Sequence, residues 1–273
     1  LAKEFPKCNF VPVYWMATED HDFEEINYFN FEGKKIQWNR ESYGGVGRFD
    51  IQGLDKVFEV FSSQLDNSKN AETIKELFKK AYLNHENLAD ATRYFANTLF
   101  GELGLVIIDA DDKSLKQLFA PYVKNELLEH KAQKFVKQTN ANLNSLDYKV
   151  QVNPREINLF YLKENIRERI IKKDNSFIVN DTDIKWTKSE ILNELETHPE
   201  RFSPNVIMRP LYQEVILPNL CYIGGGGELA YWLQLKSYFN SEDITFPILL
   251  LRNSVLIITS KQKDKLKKLG LSF

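Results

Sequence analysis

Glu19-Asp20-His21-Asp22 sets three carboxylates around one imidazole in four consecutive positions. Groups this close shift one another's proton affinity, which suits general acid/base catalysis or the holding of a cation. The same acids could instead cap a following helix while His21 packs beside them, since acidic side chains are favoured at helix starts. Adjacent residues cannot all point at one ion and no partner ligands stand out, so no metal site is expected.

A second group is Gly224, Gly225, Gly226 and Gly227, followed by Glu228. An apolar run precedes the glycines and helical sequence follows, a context in which small residues let backbone N–H groups and the helix dipole approach a phosphate or carboxylate. The spacing is not Gly-x-Gly-x-x-Gly, and no Gly-Lys-Ser/Thr follows. Glu228 opposes an anion unless its carboxylate itself meets a substrate amine or hydroxyl, and four glycines can also be a plain flexible turn. The third group is Asn205, Arg209, Tyr212 and Gln213 in a helix-like segment that Pro210 interrupts. Arg209 could clamp a carboxylate or phosphate, oriented by Tyr212 and Gln213, or sit in an ordinary surface ion pair. His85, His130 and His198 lie in polar surroundings that suit solvated or capping residues. Neither Cys8 nor Cys221 has an activating neighbourhood, and no Gly-x-Ser-x-Gly elbow occurs.

These groups need elements to position them. Residues 11–17 are β-branched, aromatic and apolar, the composition of a strand buried on both faces, with the acidic tetrad at its carboxyl end. Phe23, Ile26 and Phe29 then predict a helix over residues 22–30. Residues 104–109 repeat the pattern, ending in Asp109, Asp111 and Asp112. Residues 220–223 read as a buried strand, residues 228–239 as a helix burying Leu229, Trp232 and Leu233, and residues 246–251 as a further strand. Strands alternating with helices imply an α/β fold with a mostly parallel sheet, whose ligands gather outside the carboxyl ends of the strands. The tetrad and the glycine quartet are therefore expected to face a common pocket. The core is assigned to residues 1–30, 100–120 and 203–260. Residues 31–99 form an insertion with a short strand at 35–38, a hairpin turn at 43–47, a polar linker at 64–70 and two helices traced by Ile74, Leu77, Phe78 and by Leu88, Ala91, Phe95. Residues 121–202 form a second insertion, a long helix and a small subdomain with strands at 148–152, 158–162 and 177–179.

Composition bounds the function. The 273 residues are 43% hydrophobic and 27% charged with 12 Gly and 9 Pro, which excludes collagen-like, low-complexity and disordered classes. With 36 basic and 38 acidic side chains the net charge is -2, so no positive field exists to hold a nucleic acid. Two cysteines are too few for a disulfide framework, and a reducing cytoplasm is the simplest setting. The densest apolar stretch, residues 246–258, is broken by Arg252 and Asn253 and is shorter than the roughly 20 residues a membrane span needs. The chain starts at Leu1 without the layout of a signal peptide, and is expected to begin inside a longer protein.

Three segments carry a family resemblance: residues 12–27 (Pro-Val-Tyr-Trp-Met-Ala-Thr-Glu-Asp-His-Asp-Phe-Glu-Glu-Ile-Asn), residues 202–214 (Phe-Ser-Pro-Asn-Val-Ile-Met-Arg-Pro-Leu-Tyr-Gln-Glu), and residues 217–236 around the glycine quartet. The chain resembles the bacillithiol biosynthesis cysteine-adding enzymes, the BshC family, across essentially its whole length. The resemblance implies a nucleotidyltransferase-like, Rossmann-like core with inserted segments and a C-terminal coiled coil that supports a homodimer. It also implies a ligase reaction joining L-cysteine to glucosaminyl-malate, with ATP or another nucleotide, accompanied by Mg, activating the carboxyl group. In that scheme His21 with Asp20 or Asp22 deprotonates the amine, Arg209 holds an anionic group such as malate, and the glycine quartet seats a substrate or phosphate. Rival readings are a non-catalytic metabolite-binding scaffold and a nucleotidyltransferase acting on another small molecule. The Thr-Gly-Gln-Gln type motif of the family has no counterpart, and the basic residues 261–268 would only begin the coiled coil. The chain is thus expected to be a central fragment, inactive alone.

Overall fold

In the computed structural model, which describes residues 1–271, strand β1 (Val13–Met16) feeds an acidic loop and a single helical turn, α1 (Phe23–Ile26). The helix expected over 22–30 stops there because Tyr28 to Phe31 alternate in character and pair instead. They form β2 (Tyr28–Phe31), antiparallel to β3 (Lys34–Gln37). Glu32 and Gly33, with φ of 47° and 80°, close the two-residue turn in the sense that matches strand twist. Helices α2 (Leu54–Gln64), α3 (Lys69–Tyr82) and α4 (Leu88–Phe100) follow. The Ser68 hydroxyl and the Asn87 side-chain oxygen cap the last two, accepting from Ala71 N at 3.2 Å and Asp90 N at 2.8 Å. Phe23, Ile36, Trp38, Phe49, Val57 and Phe61 bury together between hairpin and helices.

Strand β4 (Val106–Asp109) runs parallel to β1 with Asp109 opposite Met16. Asp112 then caps α5 (Lys113–Glu129), accepting from Ser114 N at 2.8 Å, and α6 (Lys131–Ser145) follows. Residues 148–152 form no strand. Gln151 N and Val152 N donate to the Gln234 side chain at 2.8 and 3.2 Å, so these donors join no ladder. The subdomain is an antiparallel sheet of β5 (Leu159–Lys163), β6 (Ile166–Lys173), β7 (Ser176–Val179), β8 (Lys185–Trp186) and, after α7 (Lys188–Thr197), β9 (Phe202–Pro204). Its order is β8-β7-β6-β5-β9. Sequence reading missed β6, whose Arg and Lys residues hide the strand pattern on a solvated face.

Pro210 does not interrupt α8 (Arg209–Ile216); it sits in the first turn, where a missing N–H costs nothing. Strand β10 (Cys221–Gly224) pairs in parallel with β11 (Ile248–Leu251). The single helix expected over 228–239 is two, α9 (Gly226–Leu233) and α10 (Lys236–Ser241). Basic α11 (Ser260–Lys268) closes the described chain.

The chain is a mixed α/β fold whose parallel strands form two pairs, β1–β4 and β10–β11. Expectation and structure part over burial. Val13 and Tyr14 are exposed in β1, Ile223 is 62% exposed in β10, and Leu233 is exposed in α9 although Trp232 is fully buried. A two-stranded parallel unit has little neighbouring structure to cover both faces. No helix of the described residues is long and apolar enough to cross a membrane.

Candidate functional site

The carboxyl ends of β1 and β4 bring together acids separated by some ninety positions. Thr18, just past β1, hydrogen-bonds the Asp109 carboxylate at the end of β4, tying the two strand ends together. Glu19 turns inward and is only 7% exposed, paired with Lys116 of α5, which is 2% exposed. The Lys116 ammonium also donates to the Phe202 carbonyl at 2.9 Å. Burial pushes the Glu19 carboxyl above its ordinary range, and the Lys116 charge opposes that rise.

Asp20, His21 and Asp22 stay in solvent. Capping is not their role: no side chain caps α1, and the Asp20 carboxylate accepts from His21 N at 2.7 Å. Arg167 of β6 reaches His21 Nδ1 with Nη1 at 2.6 Å while its guanidinium lies over the Phe160 ring, 4.1 Å from the centroid. Arginine can only donate, so Nδ1 accepts in that contact, while the same nitrogen lies 3.3 Å from Asp20 Oδ1, which can only accept; the two contacts call for different tautomers. Burial lowers the Arg167 guanidinium from its ordinary value, against the pull of Asp20, Glu19 and Asp22. The ligand atoms of Asp20, His21 and Asp22 lie within 4.8 Å of one another. Arg167 on Nδ1 places a positive charge beside these ligand atoms, which opposes a metal ion there while that contact is made.

Residues 43–48 are not a hairpin turn but the backing of this loop. Val46 N and Gly47 N donate to the Asp20 and Thr18 carbonyls at 2.7 and 2.8 Å. A Cβ on Gly47 would lie 2.5 Å from Thr18 Cβ, so only glycine permits the approach. Arg48 then forks onto Asp111 at 2.6 and 2.8 Å, a bidentate pair across the crevice. Lys116, Arg48, Arg167 and Asp111 escaped sequence reading as site residues. The acids after β4 carried the available signal: the strand-end logic that selected residues 19–22 applies equally to Asp109 and Asp111.

The glycine quartet behaves differently. Gly225 N donates to the Glu228 carboxylate at 2.9 Å, and Tyr222 OH reaches the same carboxylate at 2.9 Å. The start of α9 therefore already holds an anion of its own. A Cβ on Gly224 would lie 2.7 Å from the Tyr222 ring, whereas Gly227 faces open space. Arg209 donates to Tyr231 OH at 2.7 Å. Burial pushes the Tyr222 hydroxyl up to about 12, with Arg209 pulling it down.

Tyr212 and Gln213 do not orient Arg209 as expected. Tyr212 OH donates to the Ala110 carbonyl at 2.9 Å, anchoring α8 beneath the end of β4, and Gln213 Nε2 reaches Glu214 at 3.3 Å. Asn205 shapes the turn before α8, accepting from Ile207 N at 2.9 Å and donating to Asn158 at 3.1 Å; Asn158 in turn donates to the buried Glu126 carboxylate at 2.7 Å. Among the described residues no hydrogen bond or ion pair joins residues 19–22 to residues 224–228. Cavities of about 300 and 460 Å³ lie in the molecule, and neither is lined by both patches. His130 and His198 stand at helix C-termini, and His85 meets the Ala81 carbonyl at 2.9 Å.

Residues 1–253 match the sequence profile of a family described as bacillithiol biosynthesis BshC, N-terminal Rossmann-like domain. The chain belongs to the BshC family. Its relatives include proteins named "Putative cysteine ligase BshC" from Flavobacterium johnsoniae, 60% identical over 273 residues, and Christiangramia forsetii, 59% identical over 276 residues, each covering 100% of this chain and 51% of the relative. A namesake from Staphylococcus saprophyticus is 30% identical over 265 residues, covering 92% of this chain and 49% of its own length. The chain spans about half the length of these BshC relatives, and the family's Rossmann-like architecture accords with its parallel strand pairs.

Proposed function

We propose that this chain supplies the acid/base crevice of a cysteine ligase in bacillithiol biosynthesis, one that joins the L-cysteine carboxyl to the amine of glucosaminyl-malate. The names of the BshC relatives support the reaction class. The observation that carries the assignment to this crevice is the Arg167–His21 contact at the end of β1. A proton acceptor must sit within hydrogen-bond reach of the proton it takes, and this contact shows that Nδ1 is open to a donor from the crevice side. As the amine attacks, the new C–N bond forms, the bond from the carboxyl carbon to its activating oxygen breaks, and the amine proton passes to His21. For that transfer the amine takes the place of Arg167 on Nδ1, and Asp20 and Asp22 stabilise the imidazolium that results.

Activation of the carboxyl as a phosphate or adenylate would be supplied by ATP with Mg. The glycine quartet does not fit a phosphate, because Glu228 already occupies Gly225 N, so no step is placed there. Its carboxylate suits a substrate hydroxyl or amine better. The full-length protein in this reading is a cytoplasmic homodimer whose coiled coil begins at α11. The test mixes the full-length protein with L-cysteine, glucosaminyl-malate, ATP and Mg, and looks for the thiol product by mass. Product is expected from the native enzyme and not from folded His21→Ala; unchanged turnover in that variant removes His21 from the mechanism.

A further inference from the structure

β1 and β10 each keep one bare edge. Val106 N donates to the Pro12 carbonyl at 3.0 Å and Ile248 N to the Leu220 carbonyl at 3.2 Å, which fixes the phase of both ladders. Main-chain groups point alternately to the two sides of a strand, so those of Val13 and Trp15 face away from β4, and those of Cys221 and Ile223 face away from β11. Among the described residues none of these outward N–H and C=O groups has a backbone partner. Trp15 and Cys221 are half-buried, where main-chain groups are ordinarily paired.

The two bare edges face each other. Trp15 of β1 and Tyr222 of β10 pack into one core with Phe119, Tyr212 and Trp232 of α5, α8 and α9, so both strand pairs lie in one layer under the same helices. The helices between β1 and β4 cover the opposite face, where Tyr14 and Met16 meet residues of α2, α3 and α4. Crossovers between parallel strands of one sheet are right-handed, so helices on opposite faces mean steps in opposite directions across the sheet. The chain therefore steps one way from β1 to β4, and the other way from β4 to β10 and on to β11. That order puts β10 and β11 beyond β1, giving β4-β1-slot-β10-β11.

We infer that an extended strand from the same subunit, outside these 273 residues, fills the slot between β1 and β10 in the full-length protein. The relatives have the polypeptide to supply it, since this chain covers 51% of the Flavobacterium johnsoniae protein. One strand there sets β1 and β10 two strand spacings apart, about 10 Å, and pairs the bare groups on both sides. The loops holding residues 19–22 and 224–228 then flank a single strand end, at the point where the strand order reverses and ligands of such sheets gather. The inference concerns how the site is assembled, and it holds whether or not the ligase reading does.

Hydrogen–deuterium exchange resolved to single residues tests it on the native full-length protein. The outward amides of Trp15 and Cys221 are expected to exchange within about tenfold of the laddered Tyr14 and Tyr222 amides. A photo-crosslinking benzoylphenylalanine in place of Ile223, beside the side chains of the neighbouring strand, identifies the occupant in a mixture of unlabelled and isotope-labelled protein. The crosslink is expected within one subunit, to a residue outside the 273. Val13, across the slot, carries the same probe if the Ile223 variant does not fold. Trp15 and Cys221 amides that exchange as freely as solvent-exposed ones would overturn the proposal. So would crosslinks between differently labelled subunits, which make the occupant a second copy, or crosslinks confined to residues 1–273.

Discussion

The two parallel strand pairs end in loops built on opposite plans. At β1–β4 three side chains are held from far along the chain: Glu19 by Lys116, His21 by Arg167, Asp111 by Arg48, at separations of 97, 146 and 63 residues. At β10 the contacts are local, with Glu228 bound to Gly225 and Tyr222, three and six residues away. Long-range partners fix a geometry that only the folded molecule can supply, which is what acid/base chemistry requires. Local partners give a loop that closes on itself and opens at little cost. The crevice is thus the more firmly tied of the two strand-end loops and the glycine loop the more adaptable one.

Breaking the crevice at its buried pair should have the largest effect. Lys116→Met leaves the Glu19 carboxylate buried without its cation, a loss of about 3–5 kcal/mol in urea unfolding. Glu19→Leu added to it should restore most of that stability, since the pair is then replaced rather than broken. The pH dependence has a definite sign. A buried carboxyl with a raised pKa stabilises the fold when protonated, and that contribution is lost as pH rises through the raised value. Removing Lys116 raises the carboxyl further, so the deficit of Lys116→Met is greatest near neutral pH and narrows on acidification toward the ordinary carboxylate range. A deficit that stayed constant with pH would mean that Glu19 is not the group responsible.

The next largest effect tests the backing of the crevice. In Gly47→Ala the new Cβ meets Thr18 Cβ at 2.5 Å and Thr18 Cα at 2.9 Å, so the backbone must move. A cost of about 1–3 kcal/mol follows from overpacking. Because Thr18 also binds Asp109, the strain reaches the strand ends, and a thermal melt of Gly47→Ala should fall below that of the native chain. An unchanged melt would show that the loop yields locally, making the crevice as adaptable as the glycine loop.

The same contrast explains what could be read from the sequence. Residues 19–22 and 224–228 are legible because their chemistry is contiguous, and the strand-helix alternation around them places β1, β4, β10 and β11 near their true bounds. Lys116, Arg48 and Arg167 look like ordinary surface cations; only the packing of α5, the glycine segment and β6 against the crevice makes them partners. Residues 148–152 were misread for a related reason: their pattern suits a strand, but a glutamine side chain some eighty positions away takes their N–H groups. Phe29 has helical spacing from Phe23, yet the Glu32–Gly33 turn makes a hairpin out of the same residues.

The smallest effect sharpens the comparison from the other side. Gly227 lies in the first turn of α9, and a Cβ there meets nothing within 4 Å. Gly227→Ala should therefore raise stability by about 0.4–1 kcal/mol, because alanine loses less backbone entropy on entering a helix and introduces no clash. That gain separates two reasons for a glycine at this position. If the residue only makes the turn supple, the full-length variant is more stable and forms thiol product at the native rate. If a substrate must come against the bare backbone, the same variant is more stable yet impaired, with KM raised more than kcat is lowered because the added methyl obstructs binding rather than chemistry. Lower stability in Gly227→Ala would contradict the open space at Gly227 and with it the idea that the loop is closed only by its own local contacts.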